Sequence, residues 1–436
     1  MKNAIFIFFV FISIFTHAQE SGKYLIRAGK LFDSESGQFK TSMSILVSNS
    51  KILSVKPDKE VTAEEQKNYA LIDLSKYAVL PGLMDAHTHL LNREDLHPGN
   101  ELPGLDMGKV LTMEGDAYRA IYGAARAKAY LEAGITAVQD LGNSGQFADI
   151  ALRRAINEGL VPGPRMRCAG QGLSTEGGQM PGLIYKHREL INDEYRIVKN
   201  IEDGVQAVRE NITQGADVIK IYSNNTPNNT MLTVDEIKAI VQEAHRYGLR
   251  VTAHSTSNMA VYNAVVGGVD GIEHGYEVAD STFELMAKKK VILVPTDGDS
   301  VTFVQYAKLV APDDNNMITN IMAYRKYLGG RLQRAIKKGV TIAAGSDDYI
   351  DFKMPFAEPS KRTLVGYFES GVPIAQVLQF ATINASRQLN WSDRIGVIKQ
   401  GYLADIIAVG NDMDKNINAI LDVHFVMKGG KVYLNK

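Results

Sequence analysis

The sequence has a single cysteine, Cys168, among its 436 residues. One cysteine cannot form an internal disulfide, so we expect stability to come from a large apolar core, with Cys168 buried in it. An excess of one charge is also lacking, because 48 lysines and arginines face 49 aspartates and glutamates. Binding of nucleic acid normally needs a clustered basic excess. The composition therefore predicts no nucleic-acid partner.

A long apolar run lies at the N-terminus, over residues 4–15, after the short basic start Met1-Lys2-Asn3. The small residues of Thr16-His17-Ala18 follow it, as signal peptidase prefers. The run is short for a bilayer span. It predicts a signal peptide over residues 1–18 and an exported protein, periplasmic or secreted, with no membrane association after cleavage. An uncleaved membrane anchor is the alternative.

Short apolar segments alternate with amphipathic segments through the middle of the chain, which is typical of strands and helices in a parallel α/β fold. The predicted strands are 79–86, 135–141, 165–170, 217–223, 250–255, 271–275, 291–296 and 341–346, and the predicted helices include 116–133, 147–158, 202–214, 233–247 and 373–389. This pattern predicts a (β/α)8 TIM barrel over residues 77–395. An open doubly wound sheet is disfavoured, because no Gly-x-Gly-x-x-Gly follows the first strand.

Both ends of the chain differ from the middle and consist of short strand-like segments broken by turns. Residues 24–75 have this pattern, and it returns at 404–409 and 423–427. Gly429-Gly430 then predicts a hairpin. The sequence therefore predicts a small β-sandwich domain built from both termini, residues 19–76 and 396–436.

Polar residues end several of the predicted barrel strands, where barrel enzymes place their chemistry. His87 and His89 lie at positions i and i+2 of the first strand and so project from the same face. His254 and His274 end the fifth and sixth strands, and Asp347 follows the eighth. A lone histidine at a strand end is often a packed core residue, but this set predicts a metal centre. Histidine and carboxylate ligands suit zinc better than iron or manganese.

Lys220 lies inside the apolar strand 217–223. A buried ammonium is costly, so Lys220 either reaches the barrel rim or loses its charge. A metal-bridging role requires deprotonation and carboxylation by carbon dioxide, because an ammonium has no lone pair for a metal. Tyr222 lies two residues further along the strand and shares its inward face, so its hydroxyl could donate a hydrogen bond to an oxyanion.

The motifs resemble those of the amidohydrolase superfamily, in particular its imidazolonepropionase-like and Xaa-Pro dipeptidase-like members. The resemblance covers essentially the whole mature chain. The matching segments are LPGLMDAHTH at 80–89, GADVIKI at 215–221, AH at 253–254, GIEHG at 271–275, ATINA at 381–385, GVIKQGYLAD at 396–405 and VMKGGKV at 426–432.

The resemblance implies two divalent metal ions. The ligands it implies are His87, His89 and Asp347 for the more buried ion, His254 and His274 for the other, and carboxylated Lys220 as the bridge. Asp347 would carry the proton of a metal-bridging hydroxide to the leaving amine. The resemblance also implies a homo-oligomer.

The expected activity is therefore hydrolysis of an amide bond in a small molecule, either a dipeptide or an N-acyl amino acid, with Asp347 and Tyr222 as catalytic residues. Lys220 favours the dipeptidase-like group, because imidazolonepropionase resembles a one-metal enzyme without a bridging lysine. Cleavage of a cyclic amide at a single metal, lactone hydrolysis and a catalytically inactive exported binding protein are the alternatives. Where relatives often have Gly-Gly-His-Gly, this chain has Gly177-Gly178-Gln179-Met180, so a neutral amide replaces a histidine that could assist the substrate.

Overall fold

The computed structural model describes residues 22–98, 107–180, 183–226 and 228–436, so the predicted signal peptide lies outside the described residues. The strands are β1 (Lys23–Asp33), β2 (Gln38–Ser48), β3 (Lys51–Pro57), β4 (Ala70–Pro81), β5 (Leu83–Thr88), β6 (Glu94–Asp95), β7 (Ile135–Asp140), β8 (Arg165–Cys168), β9 (Gly172–Ser174), β10 (Tyr195–Ile197), β11 (Ile219–Tyr222), β12 (Val251–Ser255), β13 (Gly271–His274), β14 (Ile292–Val294), β15 (Ile350–Asp351), β16 (Ile406–Gly410), β17 (Val423–Lys428) and β18 (Lys431–Asn435).

The helices are α1 (Ala63–Asn68), α2 (Met107–Lys109), α3 (Gly115–Glu132), α4 (Ala148–Asn157), α5 (Ile201–Gln214), α6 (Val234–Arg246), α7 (Asn258–Gly267), α8 (Asp280–Lys289), α9 (Ser300–Val310), α10 (Asn315–Lys337), α11 (Glu358–Glu369), α12 (Ile374–Gln379) and α13 (Ala385–Gln388). Two π-helical segments, Val110–Glu114 and Phe380–Asn384, join α2 to α3 and α12 to α13. Within the described ranges, every helix is too short or too polar to cross a bilayer.

The parallel strands of the middle region alternate with helices, as expected for an α/β fold. One sheet has the order β5-β7-β8, and a second has the order β10-β9-β11-β12-β13-β14. The chain of β8 continues into β9, which pairs with β11, and the N–H of Asp217 donates to the carbonyl of Cys168. The two sheets are therefore joined between the third and fourth strand positions.

The eighth predicted strand, 341–346, is not a regular strand. Its Ala343 N–H donates to the carbonyl of Leu293 in β14 at 2.9 Å, and its Ala344 carbonyl accepts from the N–H of Ala86 in β5 at 2.8 Å. The N–H of Leu293 also donates to the carbonyl of Thr341 at 2.9 Å, and the N–H of Asp347 donates to the carbonyl of His87 at 2.8 Å. Two bonds to each neighbour thus replace a regular ladder, and they close the ring between β14 and β5.

Close packing at Gly345 explains why this segment departs from strand geometry. A Cβ at Gly345 would lie only 2.9 Å from the backbone nitrogen of His87. Two residues later, Asp347 has a φ of +56°, in the left-handed region that strands do not use. The chain therefore leaves the sheet just where it passes His87.

Strands from the two ends of the chain pair in one seven-stranded sheet, β18-β17-β16-β4-β1-β2-β3. The pairing of β1 with β4 is parallel, and the pairing of β4 with β16 is antiparallel. The expected meeting of both termini is thus present, but the two-layered sandwich is not confirmed, because hydrogen bonding produces a single continuous sheet. The residue boundaries assigned to this domain stay predictions.

A partly buried ion pair joins this terminal sheet to the start of a barrel strand. Arg165 of β8 donates to both carboxylate oxygens of Asp405, at 2.9 and 3.0 Å. Asp405 is buried and also accepts from the N–H of Gly429 at 2.7 Å. The contact lies at the N-terminal end of β8 and leaves the opposite end of the barrel open.

Polar residues cap several helices of the barrel. The side chains of Asn200, Thr233, Ser257 and Asp299 accept hydrogen bonds from the first turns of α5, α6, α7 and α9. Each such cap is worth about 1 kcal/mol. The caps fix where the chain turns from the loops above the strands into the helices.

Candidate metal centre

A cavity of about 370 Å³ opens at the C-terminal ends of the parallel strands. Its lining residues are His87, His89, Asn92, Arg93, Glu94, Met107, Asn143, Gln179, Tyr195, Lys220, Tyr222, Thr226, His254, Thr256, His274, Tyr276, Asp347 and Tyr349. All six residues predicted as metal ligands, together with Tyr222, line this one cavity.

His87, His89 and Asp347 meet at the floor of the cavity. The Nε2 atoms of the two histidines are 3.2 Å apart. Oδ1 of Asp347 lies 3.3 Å from Nε2 of His87 and 3.1 Å from Nε2 of His89. Among the described residues these three are the one group of histidine, cysteine or acidic side chains placed closely enough to share a metal ion.

The hydrogen bonds of the other ring nitrogens determine which atoms carry lone pairs. Nδ1 of His89 lies 2.7 Å from the carbonyl oxygen of Gly142, which can only accept, so Nδ1 carries the proton. Nδ1 of His87 lies 2.7 Å from Oε2 of Glu273. Burial lowers the pKa of His87 well below its usual value and so keeps the ring neutral. Both Nε2 atoms therefore present lone pairs to each other, an arrangement that fits a bound cation.

Asp347 is held in an ionised state. Burial by itself raises the pKa of its carboxyl group, but the opposing effects, the positive charge of Lys220 among them, hold the pKa below its usual value. The N–H of Asp347 donates to the carbonyl of His87 at 2.8 Å. The left-handed backbone and this bond aim the carboxylate at the two imidazoles.

His254 and His274 form a second pair beside the first. Their ring centroids are 4.6 Å apart. Nε2 of His254 is buried and has no hydrogen-bond partner among the described residues. Nδ1 of His274 lies 2.9 Å from Oγ1 of Thr296 and 3.9 Å from Oδ2 of Asp347. No third acidic or histidine ligand of the described chain completes this pair, so a second metal position depends on Lys220.

Lys220 is 1% exposed, and its side chain makes no ion pair with any carboxylate in the part of the chain that the structure describes. Burial lowers the pKa of its amine to about 8, against the opposing effects of Glu273 and Asp347. Its Nζ lies 5.4 Å from the ring centroid of Tyr222. The lysine is therefore inside the ring of strands and does not reach a solvated rim.

The hydroxyl of Tyr222 has a partner already. It donates to Oδ1 of Asn143 at 2.8 Å, and the carbonyl of Asn143 accepts from Arg119 at 2.5 Å. Burial raises the pKa of Tyr222 well above its usual value, so the hydroxyl stays protonated. Gly172 is required beside it, since a Cβ there would lie 2.5 Å from Cε2 of the ring. To donate to an oxyanion, the hydroxyl of Tyr222 must first give up its hydrogen bond to Asn143.

Sequence reasoning missed Glu273, Asn143 and Arg93. Glu273 is a buried acid within the apolar strand β13, which is the same signal that drew attention to Lys220. It carries a pKa raised by burial to about 7. Asn143 and Arg93 lie in loops after β7 and β5, where one sequence offers no pattern that separates them from other polar residues.

Comparisons with known proteins show which proteins this chain is similar to. A family model described as "Amidohydrolase family" matches residues 78–433. Ochratoxinase of Aspergillus niger is 27% identical over 394 residues, which cover 81% of this chain and 75% of that protein. Imidazolonepropionase of Symbiobacterium thermophilum is 22% identical, covering 82% and 81%. A solved Xaa-Pro dipeptidase with bound methionine superposes with a TM-score of 0.81 at 28% identity, over 95% of this chain and all of the other.

Proposed function

The chain belongs to the amidohydrolase family, and from this premise we propose that it is a metal-dependent hydrolase that cleaves the amide bond of a dipeptide or an N-acyl amino acid. The observation that carries the proposal is the convergence of two histidine Nε2 atoms and one carboxylate oxygen within 3.3 Å. Three electron-rich atoms repel one another at such distances unless a cation lies near them.

The donor set fits two divalent ions, with zinc preferred. His87, His89 and Asp347 would hold one ion, and His254 and His274 the other. Lys220, once carboxylated, would bridge them. The orphaned Nε2 of His254 supports the second position, because a buried nitrogen without a partner is costly. When bound, such ions supply Lewis acidity, which polarises a carbonyl group and acidifies water.

The side chains of the cavity supply the proton transfer and the orientation. Asp347 is ionised and would accept the proton of the attacking water and deliver it to the leaving amine. Tyr222 stays protonated and would release Asn143 to donate to the oxygen that gains charge. Glu273 would hold His87 in the tautomer with a free Nε2.

The choice of substrate is supported by the relatives. One of the solved structures that superpose on this chain is a Xaa-Pro dipeptidase, and an ochratoxinase is among the curated relatives. A second candidate is hydrolysis of a cyclic amide at a single metal, in the manner of an imidazolonepropionase. This candidate is favoured because His87, His89 and Asp347 are the one group of three metal-ligating side chains found among the described residues.

Elemental analysis of the purified protein, combined with hydrolysis of a library of dipeptides and N-acyl amino acids, tests the proposal. We expect about two metal ions per chain, amide cleavage, and loss of cleavage after chelation. About one ion per chain with cleavage of cyclic amides alone would select the single-metal candidate. Negligible metal after reconstitution with zinc and bicarbonate would indicate a non-catalytic barrel and contradict both.

Replacement of Glu273 by glutamine is expected to weaken metal binding about 10- to 100-fold. The neutral amide can still accept from Nδ1 of His87, but it no longer stabilises the positive charge that the imidazole gains on binding a cation. Competition with a chromogenic chelator measures the affinity. Glu277→Gln is the matched control, because Glu277 is exposed. Unchanged affinity in Glu273→Gln would show that the carboxylate does not support the metal.

A further inference from the structure

The cavity wall has very few cationic side chains. Histidines aside, only Arg93 and Lys220 among the described lining residues can carry a positive charge. Lys220 lies in the wall of the ring between the two histidine pairs and is fully buried. Arg93 instead follows β5 in the loop that leads to β6 and is 31% exposed. It is therefore the cation that a substrate entering from solvent can contact.

The guanidinium of Arg93 is anchored on one side. Its Nη2 donates to Oδ2 of Asp95 at 2.6 Å, and its Cζ lies 5.9 Å from the ring centroid of Tyr122. Asp95 is held in turn by Nζ of Lys353 at 3.2 Å. Nε and Nη1 of Arg93 have no hydrogen-bond partner among the described residues. The side chain is thus oriented in advance and keeps donors for a ligand.

The remaining charges of the wall restrict where an anionic group can bind. Glu94 and Asp347 contribute carboxylates to the same lining. A substrate carboxylate is repelled by both, and the most favourable position for it outside the metal centre is beside Arg93. A guanidinium also matches a carboxylate in shape, since both are planar and form paired hydrogen bonds.

We propose that Arg93 binds the free carboxylate of the amino acid that leaves as the amine product. The inference rests on the proposed function and narrows it: the enzyme cleaves the last amide bond of a small acyl or peptidyl amino acid and discriminates against substrates whose terminal carboxylate is blocked. Arg93 is then a specificity-determining residue and takes no part in proton transfer.

The test compares an N-acyl amino acid with its carboxamide, which has the same acyl group and the same scissile bond. We expect wild-type protein to prefer the free acid. Arg93→Met is expected to lower kcat/KM for the acid about 100-fold and to change the carboxamide rate less than about threefold. Arg93→Lys keeps the positive charge but loses the planar guanidinium with its paired donors. Its kcat/KM for the acid is therefore expected to lie between those of the wild-type protein and Arg93→Met.

Arg154→Met is the matched control, because Arg154 is an arginine that also pairs with a carboxylate, Glu158 at 2.7 Å, but is exposed and does not line the cavity. It should leave the preference for the acid intact. An equal loss on both substrates in Arg93→Met, with normal metal content, would assign Arg93 a structural role and overturn the inference. Wild-type protein that cleaves many amides but does not prefer the acid would overturn it while the proposed function stands. Absence of any amide cleavage would contradict both the inference about Arg93 and the proposed function.

Discussion

Replacement of Asp347 by asparagine is expected to lower kcat by about 100- to 10,000-fold. The asparagine side chain has the same shape and keeps one oxygen toward His87 and His89, which lie 3.3 and 3.1 Å away. It cannot accept a proton from water, because an amide oxygen is a very weak base. The loss is therefore expected in turnover, while most of the bound metal remains.

Steady-state kinetics and elemental analysis of the same preparation separate these two effects. Asp351→Asn is the matched control: Asp351 lies four residues on, contacts Lys353 at 2.8 Å and does not line the cavity. It should retain wild-type kcat and metal content. Wild-type turnover in Asp347→Asn would remove Asp347 as the proton carrier. If Asp347→Asn lost bound metal in proportion to its turnover, the role of Asp347 would be that of a metal ligand alone.

Replacement of Lys220 by methionine is expected to lower the metal content from about two ions to about one and to lower kcat about 100- to 1000-fold. Lys220 is the residue on which the second position depends, because His254 and His274 have no third acidic or histidine ligand among the described residues. The protein should remain folded, since methionine fills a similar volume and removes a buried polar group that lacks an ion pair.

Lys361→Met provides a close control. Lys361 is also buried, and burial lowers the pKa of its amine to about 8 as well. Unlike Lys220, however, it donates to the carbonyl of Leu421 at 2.7 Å. We expect Lys361→Met to retain both metal ions and activity, even if it is less stable, because that carbonyl loses its partner.

Carboxylation of Lys220 has a direct readout of its own. Isotopically labelled bicarbonate should produce a carbamate signal in the NMR spectrum of wild-type protein and none in Lys220→Met. In Lys220→Ala, a short carboxylic acid added to the solution should fill the space and restore part of the activity. Two metal ions and normal turnover in Lys220→Met would show that no bridge from this lysine is needed.

Much of the site was predictable because strand ends can be recognised in a single sequence. Apolar runs end in His87, His254 and His274, and the C-terminal ends of parallel strands in a ring converge on one place. The resemblance to the amidohydrolase superfamily is confirmed by the family match over residues 78–433. Asp347 was expected after a regular strand and lies in the same cavity, but its segment is irregular because Gly345 packs against His87.

Other features could not be predicted because they depend on contacts between distant parts of the chain. His87 and Glu273 are 186 residues apart in sequence, and their hydrogen bond decides which nitrogen of His87 is free. Tyr222 and Asn143 are 79 residues apart, and their contact decides where the tyrosine hydroxyl points. No local pattern encodes either pairing.

The sequence by itself determined the kinds of atoms at the site, their positions at the ends of apolar strands, and the family, because hydrophobic periodicity and motif order are local properties of the chain. Only the tertiary structure decided which nitrogens carry lone pairs, that Lys220 makes no ion pair within the described chain, and that Arg93 and Lys220 are the lysine and arginine side chains of the described residues that line the cavity. These depend on which side chains meet in space, and that is fixed by the packing of the strands around the ring.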